Sequence, residues 1–292
     1  MAHPVYNQNL GLIGILAQSG TPTDCIVFTG ESSDFTLKAT NKEWDGTVEY
    51  STDHNTWTVW NGSEISSSNK KLYLRGSGNT TFCTSLGAKF VLSARAGCSG
   101  NLNTLLEYSN PPTTLSAICY YNMFSDCTNL TTAPALPATT LGERCYYEMF
   151  SFCTSLKTAP ALPATTLANN CYGSMFSYCS SLTTAPALPA TTLANNCYSS
   201  MFSGCRSLTT VPALPSTTLA LRCYQSLFMG CAAFKVSSTK TGTYQYAWRI
   251  PTSGTVSSTP SNWNSSMLSG TGGTFTSNPS INTTYYVENA PV

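Results

Sequence analysis

Apolar and polar residues alternate in three stretches near the start of the chain: FTLKAT (35–40), GTVEYSTDHNTWTVW (46–60) and KLYLRG (71–76). Period two marks strands with one face buried. Asp53, His54 and Asn55 supply turn chemistry between a strand carrying Tyr50 and one carrying Trp57. The pattern predicts a small antiparallel, sandwich-like β domain over residues 21–87. Ahead of it, NLGLIGILAQSG lies in an apolar arm, residues 1–20. Its small-residue exit suits a secretory signal, but no Lys or Arg precedes Lys38, so the positive start of a signal is missing. A short strand or arm packing on the chain or on a partner subunit is the expectation.

Beyond residue 88 the pattern changes. KFVLSARAGCSGNLNTLLEY begins like a strand and then places Leu102, Leu105 and Leu106 at helical spacing. This predicts a cap over residues 88–114. From 115 to 234 a 26-residue phrase is written five times. Cys119, Cys145, Cys171, Cys197 and Cys223 keep its step, as do Cys127, Cys153, Cys179, Cys205 and Cys231. So do Phe124, Phe150, Phe176, Phe202 and Phe228, and Leu115 with its equivalents. A fixed period of this length predicts a stack in which each unit buries its apolar side against its neighbours. The Phe column and the column Met123, Met149, Met175, Met201, Leu227 should form the core. Residues 235–292, where the phrase decays, should close the far end with two short strands around a helical turn.

The unit MFSYCSSLTTAPALPATTLANNCYGS resembles the BspA-type leucine-rich repeat through Phe176, Cys179, Leu182, Leu188, Pro189 and Leu193. The resemblance implies an α/β solenoid with short parallel strands and short helices. Two departures stand out: the A-P-A-L-P segment and a second cysteine where Ile or Leu is usual. Pro134, Pro160, Pro186 and Pro212 fall where the strand should run, and proline cannot donate to a ladder. The whole layout is also similar to repeat proteins of gut bacteria and their phages, which implies surface attachment and no catalytic residues. STDHNTW is similar to the Asp-box of sialidase-like propellers, but it is one residue short and has Asn for Gly; a hairpin turn is expected there.

Charged residues make up only 9% of the chain and the formal net charge is +1, against about 25% charged in an average domain. No global field favours nucleic acid, and no apolar run reaches the ~20 residues of a membrane span. Each cysteine column holds five members and the total is 13. Both numbers are odd, which argues against a complete set of disulfides. C-x7-C lacks the close pairs of zinc sites, and histidine occurs only at His3 and His54. The ten repeat cysteines are therefore read as a structural ladder of buried thiols, formed in a reducing cytoplasm.

Catalysis needs titratable groups brought together. The repeats carry three acids, Asp126, Glu143 and Glu148, in no common column, and no histidine. No enzyme activity, metal or cofactor is expected. Recurring aspartates for calcium are absent too. The remaining expectation is binding. Thr132, Thr158, Thr184 and Thr210 form an unvaried polar row, while Tyr147, Phe152, Tyr178 and Arg206 fall at variable positions whose composition is that of a paratope. Free drift at exposed positions explains that variation equally well. The leading expectation is a phage virion protein, a tail or head fibre component folded in the host cytoplasm. It would recognise a host surface protein or glycan and meet other virion proteins through residues 1–87. Membrane insertion is not expected, and a homo-oligomer is left open. A bacterial cell-surface adhesin and a glycan-active enzyme are the alternatives.

Overall fold

The computed structural model describes residues 23–85, 87–209, 212, 214, 216 and 220–231, and the backbone of 234–237, 244–249 and 284–289. The arm over residues 1–20 and most of the closing segment lie outside these residues.

Two antiparallel sheets build the N-terminal region. The first contains β1 (Ile26–Gly30), β3 (Thr47–Ser51), β4 (Thr58–Val59), β6 (Lys71–Ser77) and β8 (Ala96–Gly100), in the order β4-β3-β6-β1-β8. The second is β5-β2-β7, from Ile65–Ser66, Thr36–Ala39 and Phe90–Leu92. β6 alternates in burial as it does in sequence: Leu72 and Leu74 are fully buried and pair with Phe28 and Ile26 of β1. Trp44 stacks between Trp60 and Phe82, each with ring centres 5.3 Å away. At the Asp53 turn, one carboxylate oxygen accepts from the backbone of Asn55 and Thr56, both at 2.8 Å. Those bonds hold the Asp53 carboxyl well below the usual range. The turn is a structural cap on the β3–β4 connection.

The first repeat unit is hydrogen-bonded onto this domain. Phe90 N donates to Met123 O (2.8 Å), Cys98 N to Thr132 O (2.9 Å) and Ala135 N to Gly100 O (2.8 Å). The Phe124 ring packs 5.7 Å from Phe90 and 6.3 Å from Phe28. One hydrophobic core thus runs from the sheets into the stack. At the far end, β9 (Phe234–Ser237), β10 (Tyr244–Arg249) and β11 (Thr284–Asn289) form a third antiparallel sheet in the order β10-β11-β9.

The expected α/β solenoid of short helices and short parallel strands is not what the chain forms. Among the described residues the helical element is a four-residue 3-10 turn, Leu102–Leu105. All strand pairs of the three sheets are antiparallel. Parallel contacts between units are isolated bridges such as Thr158 to Thr184 and Thr166 to Thr192, and the units do not close into a helix-and-strand solenoid.

The backbone explains why. In the segment expected to be helical, Asn170, Ser174 and Tyr178 have φ of 57°, 53° and 59°. The same four-residue spacing of left-handed residues recurs at 144, 148 and 152 and at 196, 200 and 204. Left-handed φ costs an L-residue roughly 1–2 kcal/mol and ends any right-handed helix. Here it splits the amides into two sets. Asn170, Tyr172, Ser174, Phe176 and Tyr178 donate to the carbonyls of Asn195, Cys197, Ser199, Met201 and Ser203 in the next unit, at 2.7–3.0 Å. The residues between them close local turns: Cys171 N donates to Ala168 O, Gly173 N to Asn170 O, Met175 N to Tyr172 O, Ser177 N to Ser174 O and Cys179 N to Phe176 O. Every backbone donor over residues 170–179 is thereby satisfied without a helix, as buried donors must be. Asn, Ser, Gly, Cys and the aromatics that fill this segment are weak helix formers, so intrinsic propensity does not resist. On the other side of each unit, the prolines of A-P-A-L-P keep the parallel pairing to single bridges.

Candidate functional site

Side chains at equivalent positions lie in columns. The Phe column is buried, with successive ring centres 5.5–5.8 Å apart from Phe124 to Phe228. The tyrosines from Tyr120 to Tyr224 form a second buried column at 5.7–6.0 Å. Met123, Met149, Met175, Met201 and Leu227 are also fully buried.

All 13 cysteines are free and buried. One column has a bonding role. The Cys153, Cys179 and Cys205 thiols donate to the carbonyls of Phe124, Phe150 and Phe176 at 3.0 Å, and Cys231 donates to Phe202 at 3.1 Å. Each of these carbonyls also accepts the amide of the cysteine three residues on, Cys153 N to Phe150 O for instance. Both lone pairs are used, and the weak S–H donor fits where a longer apolar side chain would leave one empty. Burial pushes the thiols up, to about 12 at Cys127 and Cys171. Native protein should therefore resist alkylation near neutral pH, whereas unfolded, unreduced protein should be modified at all ten repeat positions by mass spectrometry. If most of those sites need a reductant first, the thiols are not free as the structure has them.

The exposed face is built by the left-handed positions. Phe152 and Tyr178, both with φ of 59°, point outwards and are 42% and 44% exposed. Their rings stack at 4.5 Å and 9°. Beyond Tyr178 the row continues with Gly204, where a Cβ would lie 2.6 Å from Tyr178 Cδ1. A neighbouring row repeats the arrangement: Tyr121 stacks on Tyr147 at 5.2 Å, and a Cβ on Gly173 would lie 2.8 Å from Tyr147 Cε2. Each ladder thus ends on a glycine that makes room for the last ring; Phe152 and Tyr178 are exposed, whereas Tyr121 and Tyr147 are half-buried. The Phe152 and Tyr178 rings cover each other's facing sides, the Gly204 backbone lies close to the Tyr178 ring, and both residues remain partly exposed. Beside them burial raises the Glu148 carboxyl, Lys89 pairs with Asp126, and Arg206 is exposed.

Of the residues singled out by sequence, Phe152, Tyr178 and Tyr147 come together in these ladders. Thr132, Thr158 and Thr184 are exposed; Thr132 donates to Cys98 O at 3.3 Å, and Thr158 and Thr184 bridge. Thr210 lies outside the described residues. Sequence reasoning missed the part played by Gly173 and Gly204. Their signal was present, since each follows an aromatic residue by one repeat.

No protein-family model, curated protein or solved structure matches this chain. The leucine-rich likeness accordingly rests on its quoted motif alone.

Proposed function

We propose that this is a non-catalytic binding protein of a phage virion, a tail or head fibre component whose stacked units contact a host surface ligand. The observation that carries the reading is the pair of exposed, mutually stacked rings, Phe152 and Tyr178, on a backbone hydrogen-bonded from unit to unit. Rings already fixed against each other lose little freedom on binding, which favours recognition. Because each ring covers one face of the other, a protein surface that meets their edges suits them better than a sugar that needs a whole stacking platform. Thirteen free thiols suit folding in a reducing cytoplasm before assembly. Residues 1–87 would then meet other virion proteins. No helix among the described residues is long and apolar enough to cross a membrane.

The test is the doubly substituted full chain, Phe152→Ser with Tyr178→Ser, labelled and measured on a panel of gut bacterial cells beside the unchanged protein. Binding should fall at least about tenfold while thermal unfolding stays close to that of the parent, since both side chains are largely exposed. Protease treatment of the cells should remove binding and enzymatic deglycosylation should leave it. Undiminished binding by the folded variant would remove the assignment of this face.

A further inference from the structure

Asp24 and Cys25 immediately precede β1, and His54 sits in the turn after β3. About thirty residues separate them in sequence, yet β6 lies between β1 and β3, and its Tyr73 pairs with Val27 on one side and Ser51 on the other. That topology sets the turn beside the start of β1. His54 Nε2 lies 3.0 Å from Asp24 Oδ1. The Cys25 sulfur, an Asp24 carboxylate oxygen and a His54 ring nitrogen all lie within 4.8 Å of one another. Among the described residues no other group of His, Cys, Asp and Glu side chains comes together in this way.

A second observation is independent of the cluster's composition. His54 lies in the left-handed region at φ 63°, as the tight turn requires. Its backbone N–H is fixed by Ser51 Oγ at 2.9 Å. Its ring is set between Tyr73, 5.1 Å away, and the edge of Trp57 at 5.8 Å. The imidazole is therefore placed before any ligand arrives. Arg75, the cation of this neighbourhood, is drawn off into a pair with Glu49 at 2.8 Å and lies over the rings of Trp57 and Tyr108 at 4.0 and 4.3 Å. Asp24 and His54 are 38% and 36% exposed, which leaves a path from solvent, while Cys25 is fully buried behind them.

We propose that Asp24, Cys25 and His54 form a zinc site, with the sulfur, the imidazole nitrogen and a carboxylate oxygen as ligands and a fourth position open to water. One sulfur, one nitrogen and one oxygen donor suit a borderline-soft divalent ion and not calcium or magnesium. Burial, and then the adjacent Asp24 carboxylate, keep the Cys25 thiol protonated in the metal-free protein. On binding, the S–H bond breaks, its proton passes to solvent, and the thiolate, the carboxylate and the neutral imidazole balance the two positive charges of the ion. The site joins the start of β1 to the β3–β4 turn, so the ion would act as a staple across the strand ends on either side of β6.

The experiment uses the full chain, kept reduced and stripped of metal with a chelator, and titrated with cobalt(II) as a spectroscopic stand-in. A near-ultraviolet thiolate-to-cobalt band should grow to saturation at one equivalent and be lost when zinc is added. Zinc should also raise the thermal midpoint. His54→Asn keeps a residue that tolerates left-handed φ, and Asp24→Asn keeps the shape of the carboxylate. Each should weaken binding at least about tenfold, as loss of a ligand or its support does, while the metal-free fold is retained by circular dichroism. No thiolate band, a band that survives His54→Asn unweakened, or uptake well beyond one equivalent would each overturn the site, the last by tracing binding to the repeat thiols.

Discussion

Raising the pH to about 10 should unfold this protein. The ten repeat thiols are buried and neutral, and burial lifts them from an ordinary value of 9.0 to about 12 at Cys119, Cys127, Cys171, Cys223 and Cys231, and well above 9.0 at Cys145, Cys153, Cys179, Cys197 and Cys205. An unfolded chain has no such burial and ionises near 9.0. The folded-state values are the raised ones, so the thiols' contribution is fully present below pH 9 and declines as the pH climbs above it. Above that point the unfolded state holds fewer protons, and stability falls by about 1.4 kcal/mol per thiol for each pH unit. For ten thiols the loss is about 4 kcal/mol at pH 9 and about 14 kcal/mol at pH 10, against a total stability of roughly 5–15 kcal/mol for a typical domain. The buried tyrosine column, pushed up by burial from 10.0, steepens the fall further on. Circular dichroism across pH 8 to 11, with reductant present, should show one sharp transition between pH 9 and 10. Native signal persisting at pH 11 would mean that the thiols ionise in place and are not sealed from water.

Replacing Phe176 with Ala should cost about 3–5 kcal/mol, the range of deep aromatic truncations. Phe176 is fully buried, its ring stacked at 5.5 Å on Phe150 and 5.8 Å on Phe202. A stack transmits stability only through nearest neighbours, so a hole in the middle unit weakens the contacts on both sides. Phe152→Ala offers the contrast: its ring is 42% exposed, and its loss should stay below about 1 kcal/mol. Urea unfolding of the two variants should separate them by at least 2 kcal/mol. A loss below 1 kcal/mol at Phe176 would mean that inside and outside had been exchanged.

The strands of the first region could be read because their pattern is local. Leu72 and Leu74 alternate with Lys71, Tyr73 and Arg75, and they face the core of the sheet in the structure. β8 was harder to read. In AGCSG the alternation is confined to two small residues, the buried Ala96 and Cys98, and the segment becomes a strand because β1 stands beside it. In the exposed face, the variable series through Phe152 and Tyr178 was visible in the sequence. That each ladder ends on a glycine became intelligible only with the stacking distance known, since the ring of one unit occupies the space of a Cβ in the next.

The 26-residue period by itself determined which side chains meet: identical residues recur at one step, so Phe lies on Phe and Cys near Cys. Hydrophobicity then determined which columns are inside. What the sequence did not decide was the path of the backbone. An amide at residue 172 can satisfy itself within its own helix or on the carbonyl of Cys197 in the next unit, and the second choice exists only once that unit is in place. The tertiary structure took it, replacing helices with successive turns in which every fourth residue is left-handed. The same holds for Asp24 and His54, which the order of three strands brings together and no local pattern could.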